Sequence, residues 1–114
     1  MNKIIEESGS TKNGSYIKFS EGTMICYYTY SSSNRNFDGI DVNGIRYCTD
    51  TLWFPQQFVS IPTVTASTFI NGYCGFVGRI NAETTLFSVM LCIVGDVDIT
   101  RNIEITYTAI GRWK

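Results

Sequence analysis

Six side chains in this 114-residue chain combine the chemical groups that bind sugars. Planar amides and charged groups can pair with sugar hydroxyls, and an aromatic ring can cover the apolar face of a pyranose. The candidates lie in a polar loop, in a turn and on the strand after that turn: Asn34, Arg35, Asn36, Asp38, Tyr73 and Arg79. Three alternatives stay open, namely a solvated loop at 34–38, closure of the end of the fold by Tyr73, and an ion pair between subunits at Arg79.

Trp53 and Trp113 are further aromatic candidates for a sugar platform. Each stands within or at the end of a predicted strand, where large aromatic side chains are mostly buried. We therefore expect core or subunit packing for both, rather than ligand contact.

Catalytic machinery is not evident in the sequence. Histidine is absent, which removes the commonest general base and the usual nitrogen ligand of zinc. The serines at 31–33 therefore have no histidine partner for a triad. The carboxylates of Glu6-Glu7, or of Asp38 with Asp41, would hydrolyse a glycoside only at a separation of ~5–9.5 Å, which the sequence does not specify. We expect a protein that is not an enzyme and needs no cofactor, with a depolymerase as the least favoured alternative.

The four cysteines are predicted to be buried thiols, since reduced cysteine is among the most buried residue types. They form no Cys-x-x-Cys pair of the kind that zinc and redox sites use: Cys26, Cys48, Cys74 and Cys92. Disulfides remain an alternative because their number is even. Asp96 and Asp98 lack the later glutamate of a calcium loop, so we expect no metal site.

The charge balance excludes two kinds of partner. Nine basic residues stand against ten acidic ones, and they are spread singly, so we expect neither nucleic acid nor an anionic membrane surface as a partner. No run of 18 apolar residues is present, which argues against membrane insertion. The first residues do not resemble a signal peptide, so synthesis in a cytoplasm is expected.

The composition predicts an all-β protein. Val, Ile, Thr, Tyr, Phe and Trp supply 50 of the 114 residues, whereas Leu and Ala supply six; the first group favours strands. The clearest local signal is a hairpin of strands 16–19 and 24–30, with Gly22 in its turn. Further strands are predicted at 45–49, 51–54, 63–68, 75–81, 85–93 and 103–110.

Two of these strands have informative patterns. Strand 103–110 alternates apolar and polar residues, which is typical of one buried and one solvated face. Strand 85–93 is largely apolar on both faces, so it needs either a central place in a sandwich or a neighbouring subunit over its second face. Arg79 is predicted to point to the surface, on the face opposite to Phe76.

The connecting segments are rich in small polar residues. We predict a long loop over 31–44 that ends in an Asn-Gly turn, a second Asn-Gly turn at 71–72, and a link over 95–102. Pro55 and Pro62 bound an extended crossover or edge segment, because proline cannot donate to a ladder. Residues 1–13 are interpreted as an N-terminal arm or linker, and residues 14–114 as the folded domain.

Three stretches of the chain carry recognisable motifs. Residues 14–25 read Gly-x-Tyr-x-Lys-Phe-x-x-Gly-Thr-x-Ile, residues 54–64 read Phe-Pro-x-x-Phe-x-x-x-Pro-x-Val, and residues 109–113 read Ala-Ile-Gly-x-Trp. Together and in this order they resemble the C-terminal domains of bacteriophage tail fibres, over roughly residues 14–114. The polar stretch 31–50 departs from the family, so no loop-borne site there carries over.

The resemblance implies a small antiparallel β-sandwich, similar to H-type lectins, that forms a homotrimer at the tip of a phage or prophage fibre. It implies a virion protein whose partner is a host cell-surface carbohydrate. The alternative is a structural tip that only locks the fibre trimer and has no ligand of its own.

Overall fold

Nine β-strands in two antiparallel sheets make up the fold of the described residues. The computed structural model describes residues 4–40, 43–70, 74–93 and 100–114, and no helix occurs among them. The predicted all-β class is confirmed. The strands are β1 Ile5–Thr11, β2 Gly14–Phe19, β3 Thr23–Asn36, β4 Gly39–Ile40, β5 Arg46–Trp53, β6 Thr63–Ile70, β7 Gly75–Ala82, β8 Leu86–Ile93 and β9 Thr100–Arg112.

The two sheets pack face to face as a sandwich. Sheet A has the order β1-β2-β3-β9-β6, and sheet B has the order β4-β5-β8-β7. The chain crosses between the sheets after β3, β5, β6 and β8. The predicted antiparallel sandwich is therefore confirmed, with its core between the two inner faces.

The predicted hairpin is formed by β2 and β3. Its strands pair in register from Ser15 with Tyr27 to Lys18 with Met24. Gly22 has a φ of 113°, a value that side chains with a Cβ rarely adopt. The amide of Gly22 donates to the carbonyl of Phe19 at 3.0 Å. The turn that the sequence predicts is thus the one that closes the hairpin.

The inner faces of β8 and β9 form the centre of the core. On β9 the alternating residues Ile103, Ile105, Tyr107 and Ala109 are buried, as predicted. On β8, which lies between β5 and β7, one face is fully buried. Its other face carries half-buried residues such as Met90 and is only partly covered by the described residues.

Four aromatic rings fill the middle of the core. Phe87 packs against Tyr107 with ring centroids 4.8 Å apart, and Phe54 lies 5.6 Å from Phe87 and 5.1 Å from Phe58. Phe58 belongs to the crossover between Pro55 and Pro62, which forms no strand, as predicted. Its amide bonds to Thr84 of the sheet B hairpin, so the crossover is held by both a buried ring and a backbone contact.

Three segments differ from the sequence-based predictions. Residues 5–11, interpreted as part of an arm, form β1 and pair with β2. Residues 31–36, predicted to be loop, extend β3 and pair with β9 beyond a bulge. The two strands predicted at 45–49 and 51–54 are one strand, β5. β1 and residues 31–36 form their backbone ladders without an apolar alternation, so hydrophobic patterning did not reveal them.

Three of the four cysteines are buried free thiols, and Cys74 is exposed. The prediction of buried thiols is therefore correct for Cys26, Cys48 and Cys92 and wrong for Cys74, which precedes β7 at the edge of sheet B. Burial raises the pKa of the Cys26 thiol to about 12 and that of Cys48 to about 11. Both remain protonated at neutral pH, and a protonated thiol is a poor nucleophile.

Titration of the native protein with a thiol reagent at pH 8 is expected to modify one cysteine per chain rapidly, namely Cys74. The three buried thiols should react only in denaturant, because labelling them requires opening of the fold. A Cys74→Ser variant is the control and should show no rapid phase. Rapid loss of two or more thiols in the native state would contradict the described burial.

Candidate functional site

An open cleft on one side of the sandwich brings aromatic and polar side chains together. It has a volume of about 230 Å³ and is lined by residues of β3, of β5 and of the turn between β1 and β2: Lys12, Asn13, Tyr28, Tyr30, Ser31, Thr51, Leu52 and Trp53. Trp53 is 55% exposed and Tyr28 is 37% exposed. The cleft therefore offers accessible rings beside hydroxyl, amide and ammonium groups.

The cleft exists because two strand edges are unpaired there. β2 pairs with β3 only as far as Tyr27, so β3 has no described neighbour on that side from Tyr28 onward. β4 pairs with β5 only at Arg46 and Tyr47, so the rest of β5 is also an edge among the described residues. The two edges lie on the same side of the sandwich and leave an opening between the sheets.

The turn between β1 and β2 closes one end of this opening. Gly14 has a φ of 128°, and a Cβ at this position would lie 2.8 Å from both the Tyr27 carbonyl oxygen and the Tyr28 Cβ. Glycine therefore lets the turn approach β3 closely. The Tyr107 hydroxyl, whose pKa is raised by burial, donates to the carbonyl of Asn13 at 3.4 Å. These contacts hold Lys12 and Asn13 beside the two exposed rings.

The chemistry of the cleft suits a neutral or anionic polyol. Aromatic faces cover the C–H side of a sugar ring, and hydroxyl and amide groups exchange hydrogen bonds with its hydroxyls. Lys12 is exposed and contributes the only charge among the described lining residues. No group of three or more His, Cys, Asp or Glu residues that could hold a metal occurs in the part of the chain that the structure describes.

Arg35 has a structural role instead of lining the cleft. Its Nε lies 3.4 Å from Oδ2 of Asp50, and its Nη2 donates to the carbonyl of Thr49 at 2.9 Å. The side chain thereby joins the far end of β3 in sheet A to β5 in sheet B. The interpretation of Arg35 as a residue of a free binding loop is not supported by this geometry.

Its neighbours in the predicted loop are divided between the strand and the crossing to sheet B. Asn34 and Asn36 belong to β3, and the Asn34 side chain lies outside what the structure describes. Asp38 and Asn36 are exposed, whereas Phe37 between them is fully buried. Phe37 anchors the crossing, so the polar residues sit on a fixed segment rather than on a long loop.

Arg79 is exposed on the outer face of sheet B, as predicted. A bulge between Val77 and Arg79 shifts the register of β7 against β8, so that Phe76 pairs with Cys92 and Arg79 pairs with Met90. Phe76 and Arg79 therefore share the outer face. The prediction that they lie on opposite faces is wrong because an inserted residue reverses the alternation.

The remaining predicted site residue, Tyr73, lies outside the described residues, together with the turn at 71–72.

The two tryptophans behave differently from each other. Trp113 packs against the core and donates from Nε1 to the Phe19 carbonyl at 2.8 Å, as expected for a packing role. Trp53 is exposed in the single chain, so core packing is wrong for it. Its participation in the cleft was missed because its neighbours there come from distant segments.

Replacement of Arg35 by alanine is expected to lower the free energy of unfolding by about 1–2 kcal/mol. The change removes a half-buried ion pair and a charged hydrogen bond that link the two sheets. Urea denaturation of Arg35→Ala measures the loss. Ligand affinity should be unchanged in buffer without urea; weakened affinity with unaltered stability would instead place Arg35 in the binding site.

Comparison with known proteins identifies the architecture. No protein-family model and no curated protein matches the chain. Among solved structures, an N-truncated R1-type pyocin tail fibre superposes with a TM-score of 0.66 at 16% sequence identity, over 92% of this chain and 85% of that one. The fold is that of a pyocin tail fibre domain. A C-terminal portion of the P. aeruginosa R1 pyocin fibre gives the same score and identity over 92% of this chain.

The tail-fibre likeness has a defined extent. This chain spans only 28% of that longer fibre fragment. Among the described residues no helix is long and apolar enough to cross a bilayer. At 16% identity the likeness shows a shared fold. The description of the cleft and its side chains rests on this chain alone.

Proposed function

We propose that this chain is a receptor-binding domain of a phage-type tail fibre that recognises a bacterial surface carbohydrate without catalysing a reaction. The observation that carries the proposal is the cleft with its two exposed rings, Tyr28 and Trp53, beside Lys12 and Asn13. Its composition fits a sugar ring, and the tail-fibre fold supports a role in attachment. Such a protein is part of a virion or a virion-like particle, is made in the host cytoplasm and is similar to lectins in function.

Binding to cells tests this proposal. The labelled domain should bind to at least one strain in a panel of bacteria, and mild periodate oxidation of the cell surface should abolish that binding. Protease treatment of the cells should leave binding intact. Binding that resists periodate but is lost after proteolysis would indicate a protein receptor. Absence of binding to any strain would favour the alternative of a structural tip.

We further propose that the domain assembles as a homotrimer through the outer face of sheet A. The side chains on this face between Glu104 and Arg112 are uncharged and rich in hydroxyl groups. At its centre the hydroxyl oxygens of Thr29 and Thr106 lie 3.2 Å apart. The cores of subunit interfaces are depleted of charged residues. Three copies would present three clefts, and weak binding at each would add up through avidity.

A charge placed in the centre of this face should disrupt the trimer. Thr106→Arg is expected to reduce the mass measured by light scattering from three chains to one, because the guanidinium would be buried without a partner. The control is Gln57→Arg, in which the same group is added on the exposed crossover. A Thr106→Arg protein that remains trimeric would exclude this face as the interface.

A further inference from the structure

The outer face of sheet B contains a second concavity next to the cleft. It has a volume of about 240 Å³ and is lined by residues of β5, β7 and β8: Thr49, Arg79, Asn81, Ser88, Val89 and Met90. Thr51 of the cleft lining pairs directly with Ser88 of this concavity, and paired strands are ~4.8 Å apart. The two concavities therefore adjoin across β5.

The charges of the two concavities have the same sign. The cleft contains Lys12 and the outer concavity contains Arg79, and neither lining includes a carboxylate among its described residues. No described residue forms an ion pair with Lys12 or Arg79. Two exposed cations therefore line adjoining concavities in which no described lining residue is acidic.

The distance from Trp53 in the cleft to Arg79 suits an extended ligand. Thr49 lies four residues from Trp53 along β5, which is about 13 Å at ~3.3 Å per residue. β7 is the second strand from β5 in sheet B, at ~4.8 Å per strand. Arg79 pairs with Met90, which pairs with Thr49. The surface from Trp53 to Arg79 is thus about 16 Å long, which is more than one sugar ring occupies. A single monosaccharide in the cleft would leave Arg79 without a contact.

We infer that the carbohydrate is an anionic polysaccharide segment that runs from the cleft across Thr51 and Ser88 to Arg79. This inference rests on the proposed function and adds the charge and the length of the ligand. Lys12 and Arg79 bind acidic groups, either carboxylates or phosphates, on separate sugar units. Trp53 lies at the cleft end of this surface, and its exposed ring supports the sugar unit bound there.

The test uses the 114-residue domain and a panel of purified bacterial surface polysaccharides, half of them neutral and half containing uronic acids or phosphate. Biolayer interferometry is expected to show that the tightest ligand is anionic and that binding weakens about ten-fold or more when its charge is removed. Carbodiimide reduction neutralises carboxylates and hydrofluoric acid removes phosphates, so the two treatments identify the acidic group. Higher salt should weaken binding as well.

Two variants test whether Lys12 and Arg79 are the cations that bind the acidic groups. Lys12→Gln and Arg79→Gln should each lower affinity for the anionic polysaccharide by roughly 3- to 10-fold. Lys114→Gln removes an exposed cation near Trp113, away from both concavities, and should have no effect. For a short oligosaccharide of one or two sugars, Lys12→Gln should still weaken binding whereas Arg79→Gln should not.

The possible failures are distinguishable. A tightest ligand that is neutral, or one whose binding survives neutralisation and high salt, would overturn this inference and leave carbohydrate binding standing. Dissociation of the oligomer by Arg79→Gln would also overturn it, since the outer face of sheet B would then be a subunit interface. If no polysaccharide of the panel binds, the proposed function itself fails, and the inference fails with it.

Discussion

Simultaneous replacement of Tyr28 and Trp53 by alanine is expected to weaken carbohydrate binding about 30-fold. Each ring in contact with a sugar contributes on the order of 1 kcal/mol, and a factor of ten corresponds to about 1.4 kcal/mol. Both rings are exposed, so their removal should cost the fold little. Calorimetric titration with a soluble oligosaccharide measures the affinity of one site without avidity.

The chain provides a matched control for this experiment. Tyr27 is 45% exposed but lies on the outer face of sheet A, opposite to its neighbour Tyr28. Tyr27→Ala removes the same ring from the adjacent position, on the face proposed for trimer contact; it should leave the affinity of each single cleft for the oligosaccharide unchanged, even where the trimer is weakened. Equal losses in Tyr27→Ala and Tyr28→Ala would show that the cleft is not the binding site.

Phe87→Ala is expected to destabilise the domain by about 3–5 kcal/mol, far more than the truncation of an exposed ring. Phe87 is fully buried and packs against both Phe54 and Tyr107 at the centre of the sandwich. Its removal loses the burial of the ring and leaves a cavity that the neighbouring rings fill only in part. Urea denaturation followed by circular dichroism gives the difference in free energy of unfolding.

A second phenylalanine of sheet B separates burial from residue type. Phe76 is 43% exposed on the outer face of the sheet, so Phe76→Ala should cost less than about 1 kcal/mol. A similarly small loss for Phe87→Ala would contradict the described core. A large loss for Phe76→Ala would show that another subunit covers the outer face of sheet B.

The parts of the fold that could be predicted are those with a hydrophobic signal. The alternation from Ile103 to Ala109 predicted a half-buried strand, and the doubly apolar segment at 85–93 predicted a strand inside a sheet. Gly22 identified the hairpin because a tight turn needs a positive φ. All three are confirmed, since in each case the energy of burial or the backbone conformation is encoded locally.

The parts that were missed depend on pairing rather than on burial. β1 and residues 31–36 have polar sequences, and they are strands because β2 and β9 provide backbone partners. The bulge that brings Arg79 onto the same face as Phe76 falls at Gly78; a glycine inside a strand often marks a bulge, and the prediction of strict alternation overlooked it. Residues 31–36 pair with β9, which is distant along the chain, so a local pattern cannot reveal them. β1 pairs with the adjacent β2 and was missed because its residues are polar.

The proposed cleft and the site predicted from the sequence share a chemical type but not a position. Aromatic and polar groups were expected together, yet the polar residues at 34–38 proved to be held by the Arg35–Asp50 pair and by buried Phe37. The cleft combines residue 12 with residues near 28 and 53, which only the sandwich brings together. Of the six predicted residues, Arg79 retains a place in the proposed binding surface.

The most direct test of carbohydrate binding in the cleft uses Trp53 as its own reporter. The chain has two tryptophans, and in Trp113→Phe only the exposed Trp53 remains. Titration with the oligosaccharide should change its fluorescence saturably, with the same dissociation constant that calorimetry gives, whereas Trp53→Phe should show no change. An unaltered Trp53 signal in a protein that calorimetry shows to be saturated with sugar would contradict the proposed site.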